Sequence, residues 1–283
     1  MNAPAIALVS ALVLTLPLVA QVADGDRHYA QRAEGAQGAR AVATHVDAAI
    51  AAYQRALAQN PNDLETHGKL LRAWRYKGAY VATSNEQKKQ IYGLAKKAGA
   101  TANGVIERLL AAKGVKKNAN EKQVAEALRG TPGAASVLLW DAINWGEWAL
   151  AYGKLAAARE GAADQIRRNA IIAHLINPSE EMGAPSRVLG RLHDQTPRIP
   201  FITGWASSKE AVRFLNESLQ YDRDNKVTLV FLAEAMVNHD AKTKPRAITM
   251  LREVVTKPLH AEYVVEDAAA VLDARALLKK WGA

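Results

Sequence analysis

The chain is expected to be all-α, with antiparallel helix pairs stacked side by side into a compact solenoid or bundle. Three observations lead there. Alanine, the strongest helix former, supplies 56 of the 283 residues, whereas phenylalanine supplies only 3. Apolar residues recur at three- and four-residue spacing, in blocks separated by short polar turns. Hydrophobic residues make up 49% and charged residues 23%, so enough apolar surface exists to offset chain entropy, and a disordered polyelectrolyte is excluded. The length alone fits one large domain or two small ones. Cysteine is absent, which removes disulfides, thiol nucleophiles, thiolate metal sites and a lipid anchor through cysteine.

Taken in order, residues 1–20 read as an export signal. An uncharged apolar run extends from Ala3 to Ala20, Pro17 lies three residues before Ala20, and charge returns at Asp24, which suits cleavage between Ala20 and Gln21. No Lys or Arg precedes the run, so an uncleaved anchor of roughly 20 residues stands as the alternative. Either way the remainder, 21–283, is expected outside the cytoplasm as a single domain. Residues 46–61 place Ala49, Ile50, Tyr53, Ala56 and Leu57 on one helix face, ended by Asn60 and Pro61, and Asp63 can cap the next helix. That helix carries Leu70, Trp74, Gly78 and Tyr80 at the spacing of the tetratricopeptide repeat, with Gly78 as the turn glycine. Weaker copies follow. One runs through Ile166, Ala170 and Ala173 to Arg187, Leu189, Gly190 and Leu192. Another runs through Ala211, Leu215 and Leu219 to Leu229, Leu232, Ala233 and Met236, with a partner helix that starts near Pro245 and ends at Pro258. A last helix, 264–281, is expected to cap the stack, turning Arg275, Lys279 and Lys280 to solvent.

Two stretches depart from the pattern. Residues 84–130 read as a basic insertion, holding a net +6 of the chain's total +9. Its lysine-rich loop, with Lys113, Lys116 and Lys117, is a candidate docking face for an acidic partner or for anionic headgroups, and equally a solvated helix face. Nucleic acid is not expected, because no aromatics interleave with these lysines. The second stretch sets Trp140, Trp145 and Trp148 within nine residues. Helical geometry puts Trp145 and Trp148 on one face with Asp141 and Tyr152, and Trp140 on another with Asn144 and Glu147. Such indoles can line a groove for an apolar ligand or pack between helices.

The run Trp140, Asn144, Trp145, Gly146, Trp148, Gly153, Lys154, followed by Gly183, Pro185, Arg187, Leu189, Gly190, Arg191, then Pro197, Pro200, Leu232, Ala233 and Glu234, resembles the T component (TatT) family associated with tripartite ATP-independent periplasmic (TRAP) transporters. The resemblance implies a periplasmic helical protein with tetratricopeptide-like pairs. It further implies association with the solute-binding protein of the transporter, a small hydrophobic or carboxylate solute as ligand, and assembly as a homo-oligomer. Members of that family are typically lipoproteins, and this chain has no cysteine near Ala20 to acylate.

No catalytic pattern competes with that expectation. The seven histidines show no metal-ligand spacing, no glycine-rich phosphate loop follows a strand, and no serine sits in a nucleophile turn. His193 and Asp194 near Arg187 and Arg191 form the nearest charged cluster, expected at the end of a surface helix. A non-catalytic role without cofactor or metal follows, with Asn144, Trp145, Trp148 and Arg187 as candidate ligand contacts. Arg187 can offer its planar fork to a carboxylate. A general envelope adaptor that grips a peptide on a concave surface is the competing class.

Overall fold

Side-chain caps and glycine stops divide the chain into helices. The computed structural model describes residues 18–199 and 203–283, so most of the expected signal, and Pro200 of the motif, lie outside the described residues. The helices are α1 (Leu18–Ala30), α2 (Ala43–Gln59), α3 (Leu64–Tyr76), α4 (Asn85–Ala112), α5 (Glu121–Leu128), α6 (Ala134–Tyr152), α7 (Lys154–Arg159), α8 (Ala162–Ile176), α9 (Glu180–Gln195), α10 (Ser208–Ser218), α11 (Lys226–His239), α12 (Lys244–Thr256) and α13 (Val264–Trp281). The fold is all-α; among the described residues no strand forms beyond an isolated bridge between Gln37 and Arg40. Asp63 caps α3 by accepting from the Glu65 and Thr66 amides, and Ser84 caps α4 by accepting from Gln87. Helix α1 runs across the expected cut between Ala20 and Gln21, and Gln21 is buried there. None of the described helices is long and apolar enough to cross a membrane.

Two sequence expectations change. Gly78 does not end a helix: α3 continues into a π-helical turn, Lys77–Val81, and a Cβ at Gly78 would lie 2.5 Å from the Tyr92 ring of α4. The glycine is there for close packing. The basic stretch is no insertion either. Tyr92, Ala95, Ala102, Val105 and Ile106 bury one face of α4 in the core, while Lys97 and Arg108 are exposed on the opposite face.

The helix pairs are α1–α2, α3–α4, α6–α8, α9–α10 and α11–α12, so each unit starts one helix earlier than the repeat reading of 46–80 supposed. The first helix of every pair faces inward, and these inner helices run parallel. Gly133 at the start of α6 meets Leu64 and Glu65 at the start of α3, Asn144 donates to the Leu71 carbonyl, and Glu147 pairs with Arg75. Likewise Arg187 meets Thr228, and Arg191 meets Glu234, between α9 and α11.

The stack closes on itself. Val265 of α13 packs into the cluster that holds Tyr29, Tyr53, Trp74, Tyr76 and Tyr80. Arg32, just beyond α1 and only 5% exposed, donates to the Glu266 carboxylate at 3.0 Å and to the Glu262 carbonyl at 2.7 Å. Its guanidinium also lies over the rings of Tyr29, Tyr76 and Tyr263. The last helix is therefore a closing element. Arg275, Lys279 and Lys280 remain solvent-exposed as expected, but the inner edge of α13 is joined to the first repeat.

On α6, a buried polar network replaces apolar packing. Asp141 is fully buried, accepts from Asn103 and Asn169 at 2.8 Å each, and fits because a Cβ at Gly99 would lie 1.9 Å from its Oδ1. Burial is the main cause that raises its carboxyl from 3.8 to about 6, against three lowering hydrogen bonds. Because the folded value is the higher one, the associated stability is present below about pH 4 and is lost as pH rises through about 6. Asp141→Asn is expected to remove this dependence. Urea unfolding should show wild type losing up to about 3 kcal/mol relative to the variant between about pH 4 and pH 7, and a wild-type-minus-variant difference independent of pH would show that the carboxyl ionises freely.

Candidate functional site

Closing the ring of parallel inner helices leaves a central cavity of about 2130 Å³, lined by α1, α3, α6, α9, α11 and α13. That exceeds the roughly 300–1,000 Å³ of ordinary small-molecule pockets. Its apolar wall comes from Trp140, Ile143, Val188, Leu192, Val230 and Phe231. Five arginines also face it: Arg32, Arg72, Arg75, Arg187 and Arg191.

Four of the five are held by carboxylates. Arg32 pairs with Glu266 at 3.0 Å, Arg72 with Glu181 at 3.0 Å, Arg75 with Glu147 at 3.4 Å and Arg191 with Glu234 at 2.6 Å. Arg32 and Arg72 also lie over the Tyr29 ring, and burial pushes that phenol up to about 12, so it stays neutral beside them. Arg187 differs. Its only hydrogen bonds among the described residues go to neutral acceptors, the Thr228 hydroxyl at 3.2 Å and the Glu181 carbonyl at 3.4 Å. Burial lowers its guanidinium to about 10, only partly opposed by the Glu181 charge. It sits in the first regular turn of α9, where the helix dipole disfavours a cation and favours an anion.

The backbone beside Arg187 is strained. Glu181, Met182 and Gly183 are all left-handed, with φ of 46°, 56° and 76°, so α9 is regular only from Ala184 and Pro185. Two non-glycine residues in that region cost on the order of 1–3 kcal/mol each. The turn sets the Glu181 carbonyl against Arg187 and the Glu181 carboxylate against Arg72. The Trp140 indole nitrogen is buried without a partner among the described residues.

The structure separates the sequence candidates. Arg187 lines the cavity. Asn144 does not; it is fully buried and its amide donates to the Leu71 and Trp140 carbonyls, which ties α6 to α3. Trp145 and Trp148 face away from the cavity, toward α4. They meet edge to face, Trp148 stacks on Tyr152, and Lys96 lies 4.0 Å and 4.2 Å from the two indole centroids while pairing with Glu160. That arrangement packs α4 and α7 onto α6. Among the lysines, Lys113 donates to the Ala127 carbonyl and so ties α4 to α5, whereas Lys116 and Lys117 are exposed. His193 is not on a surface helix end. It is buried between Trp205 and Phe214, and burial pushes its imidazole below the usual range.

Sequence reasoning missed Arg32, Arg72, Arg75 and Trp140 as cavity residues. Arg32 lies just beyond α1 and the other two arginines on α3, each paired with a carboxylate more than 70 positions away in sequence, and only the Arg72–Arg75 spacing, one helix face, gives a signal. No protein-family model matches this chain, and no curated protein matches it.

An uncompensated buried cation costs stability, and one paired with a carboxylate does not leave that cost behind when both are kept. Arg187→Met is expected to leave stability unchanged or raise it by about 1 kcal/mol, whereas Arg72→Met, which strands Glu181, should lose about 1–2 kcal/mol. Chemical denaturation of both variants checks this. A larger loss for Arg187→Met than for Arg72→Met would make Arg187 a structural residue.

Proposed function

We propose that this chain is a non-catalytic, exported accessory protein of a TRAP-type transport system, which holds an organic acid with an extended apolar body in its central cavity and presents it to the solute-binding protein of the transporter. The observation that carries the ligand class is Arg187, the one arginine of the cavity without a carboxylate partner among the described residues. An incoming carboxylate would accept from that fork. The apolar chain would lie along Ile143, Val188 and Phe231. The size of the cavity favours a long ligand over a compact one. The transport link rests on the motif resemblance between Trp140 and Glu234. A general envelope adaptor fits less well, because ring closure encloses the surface that a repeat protein would use to grip an extended peptide.

Titration calorimetry with hexadecanoate and with the matching alcohol tests the ligand class. A charge-assisted hydrogen bond of about 1.5–3 kcal/mol predicts at least tenfold weaker binding of the alcohol, and a similar loss for hexadecanoate in Arg187→Gln but not in Trp145→Phe. Equal affinity for acid and alcohol would remove Arg187 from the site. Recovery of the solute-binding protein from a periplasmic extract, using the immobilised chain, tests the partner.

A further inference from the structure

Two stretches of residues at the edge of the cavity differ in kind. One stretch is charged and paired, with Lys69 on Asp26 and Lys257 on Asp224, each at 2.6 Å. Along another, Leu150 is 80% exposed and Ile199 46%, and both line the mouth. Leu155 on the adjoining α7 is 67% exposed. Helix α7 buries none of its residues and is carried between Gly153 and Gly161, both with positive φ, 91° and 64°. Lys88 and Lys154 line this same mouth, and with Arg159 at the end of α7 they join no ion pair among the described residues.

We propose that this rim docks the protein on an anionic lipid bilayer, with Leu150 and Leu155 entering the boundary between headgroups and acyl chains and with Lys88, Lys154 and Arg159 against the lipid phosphates. Leucines standing clear of the surface with cations one to four residues away are what an interfacial segment requires, since apolar burial and electrostatic attraction act together there. The same composition is poor for a protein partner, whose interface core is depleted in lysine and draws little of its binding energy from leucine. Charge separates the two stretches too: cations free of partners among the described residues stand with the leucines and Asp164, while Asp26 and Asp224 already neutralise Lys69 and Lys257. Docking by this rim sets the cavity opening against the headgroups.

Co-sedimentation with vesicles tests the surface without reference to any cavity ligand, so its failure leaves the proposed ligand class standing. The full chain should pellet with vesicles of phosphatidylcholine and phosphatidylglycerol, and at least tenfold less with phosphatidylcholine alone. Leu150→Asp combined with Leu155→Asp should reduce pelleting at least tenfold with an unchanged thermal melt, because both side chains are exposed. Lys113→Glu with Lys116→Glu and Lys117→Glu, at the opposite end of the molecule, should pellet like wild type. Because the chain has no native cysteine, a polarity-sensitive dye on Leu155→Cys gives a second readout independent of the double variant, and its emission should shift to the blue on anionic vesicles. The proposal is overturned if wild type stays in solution, if the lysine-loop variant is the one that fails to pellet, if the dye does not shift, or if the leucine changes abolish self-association instead of pelleting.

Discussion

Arg32 is the residue on which the closed form of this protein depends. A row of helix pairs has two free ends, and here the guanidinium of one residue near the first end reaches a carboxylate and a carbonyl of the last helix while lying against three tyrosine rings. At 5% exposure the charge is out of water, and it persists because every direction around it supplies a carboxylate oxygen, a carbonyl or a π-face. Removing one side of such a pair costs about 3–5 kcal/mol, since the other charge is left buried. Without this junction the inner helices would line an open concave surface. With it, they enclose a cavity.

Enclosure gives the arginines their meaning. On an open face, five guanidiniums would be solvated and of little consequence. Inside a ring of parallel helices each must find a partner or a ligand, and four find partners within the protein. The fifth, Arg187, stands next to three consecutive left-handed residues and in the first turn of a helix, which adds local strain to an unfavourable dipole. Both costs fall on one short segment of the cavity wall. That concentration is what supports the proposal of an anion site at Arg187.

Much of the fold was legible from spacing alone. The caps at Asp63 and Ser84, the alanine-rich faces and the final helix from Val264 to Trp281 follow from residue types whose effects are local. What could not be read was everything that depends on which helices meet. Gly78 has the sequence position of a turn glycine, and only the approach of Tyr92 shows why the side chain is missing. The tryptophan cluster drew attention as a ligand surface, yet Trp145 and Trp148 serve to seat Lys96, and Trp140 alone of the three reaches the cavity. Arg187 was accessible to sequence reasoning through its motif. Its isolation was not, because that depends on where Glu181 sends its carboxylate, and Arg72 takes it.

Ring closure is most directly measured by distance. With no native cysteine, spin labels can be placed at Glu34, just past Arg32, and at Glu262, whose carbonyl Arg32 contacts. A closed ring gives one short, narrow distance distribution between them in the monomer, and substitution of Arg32 by Ala broadens it toward longer values. A broad, long distribution in the wild-type chain would mean that the two ends do not meet, and the cavity, with the role assigned to Arg187, would not exist.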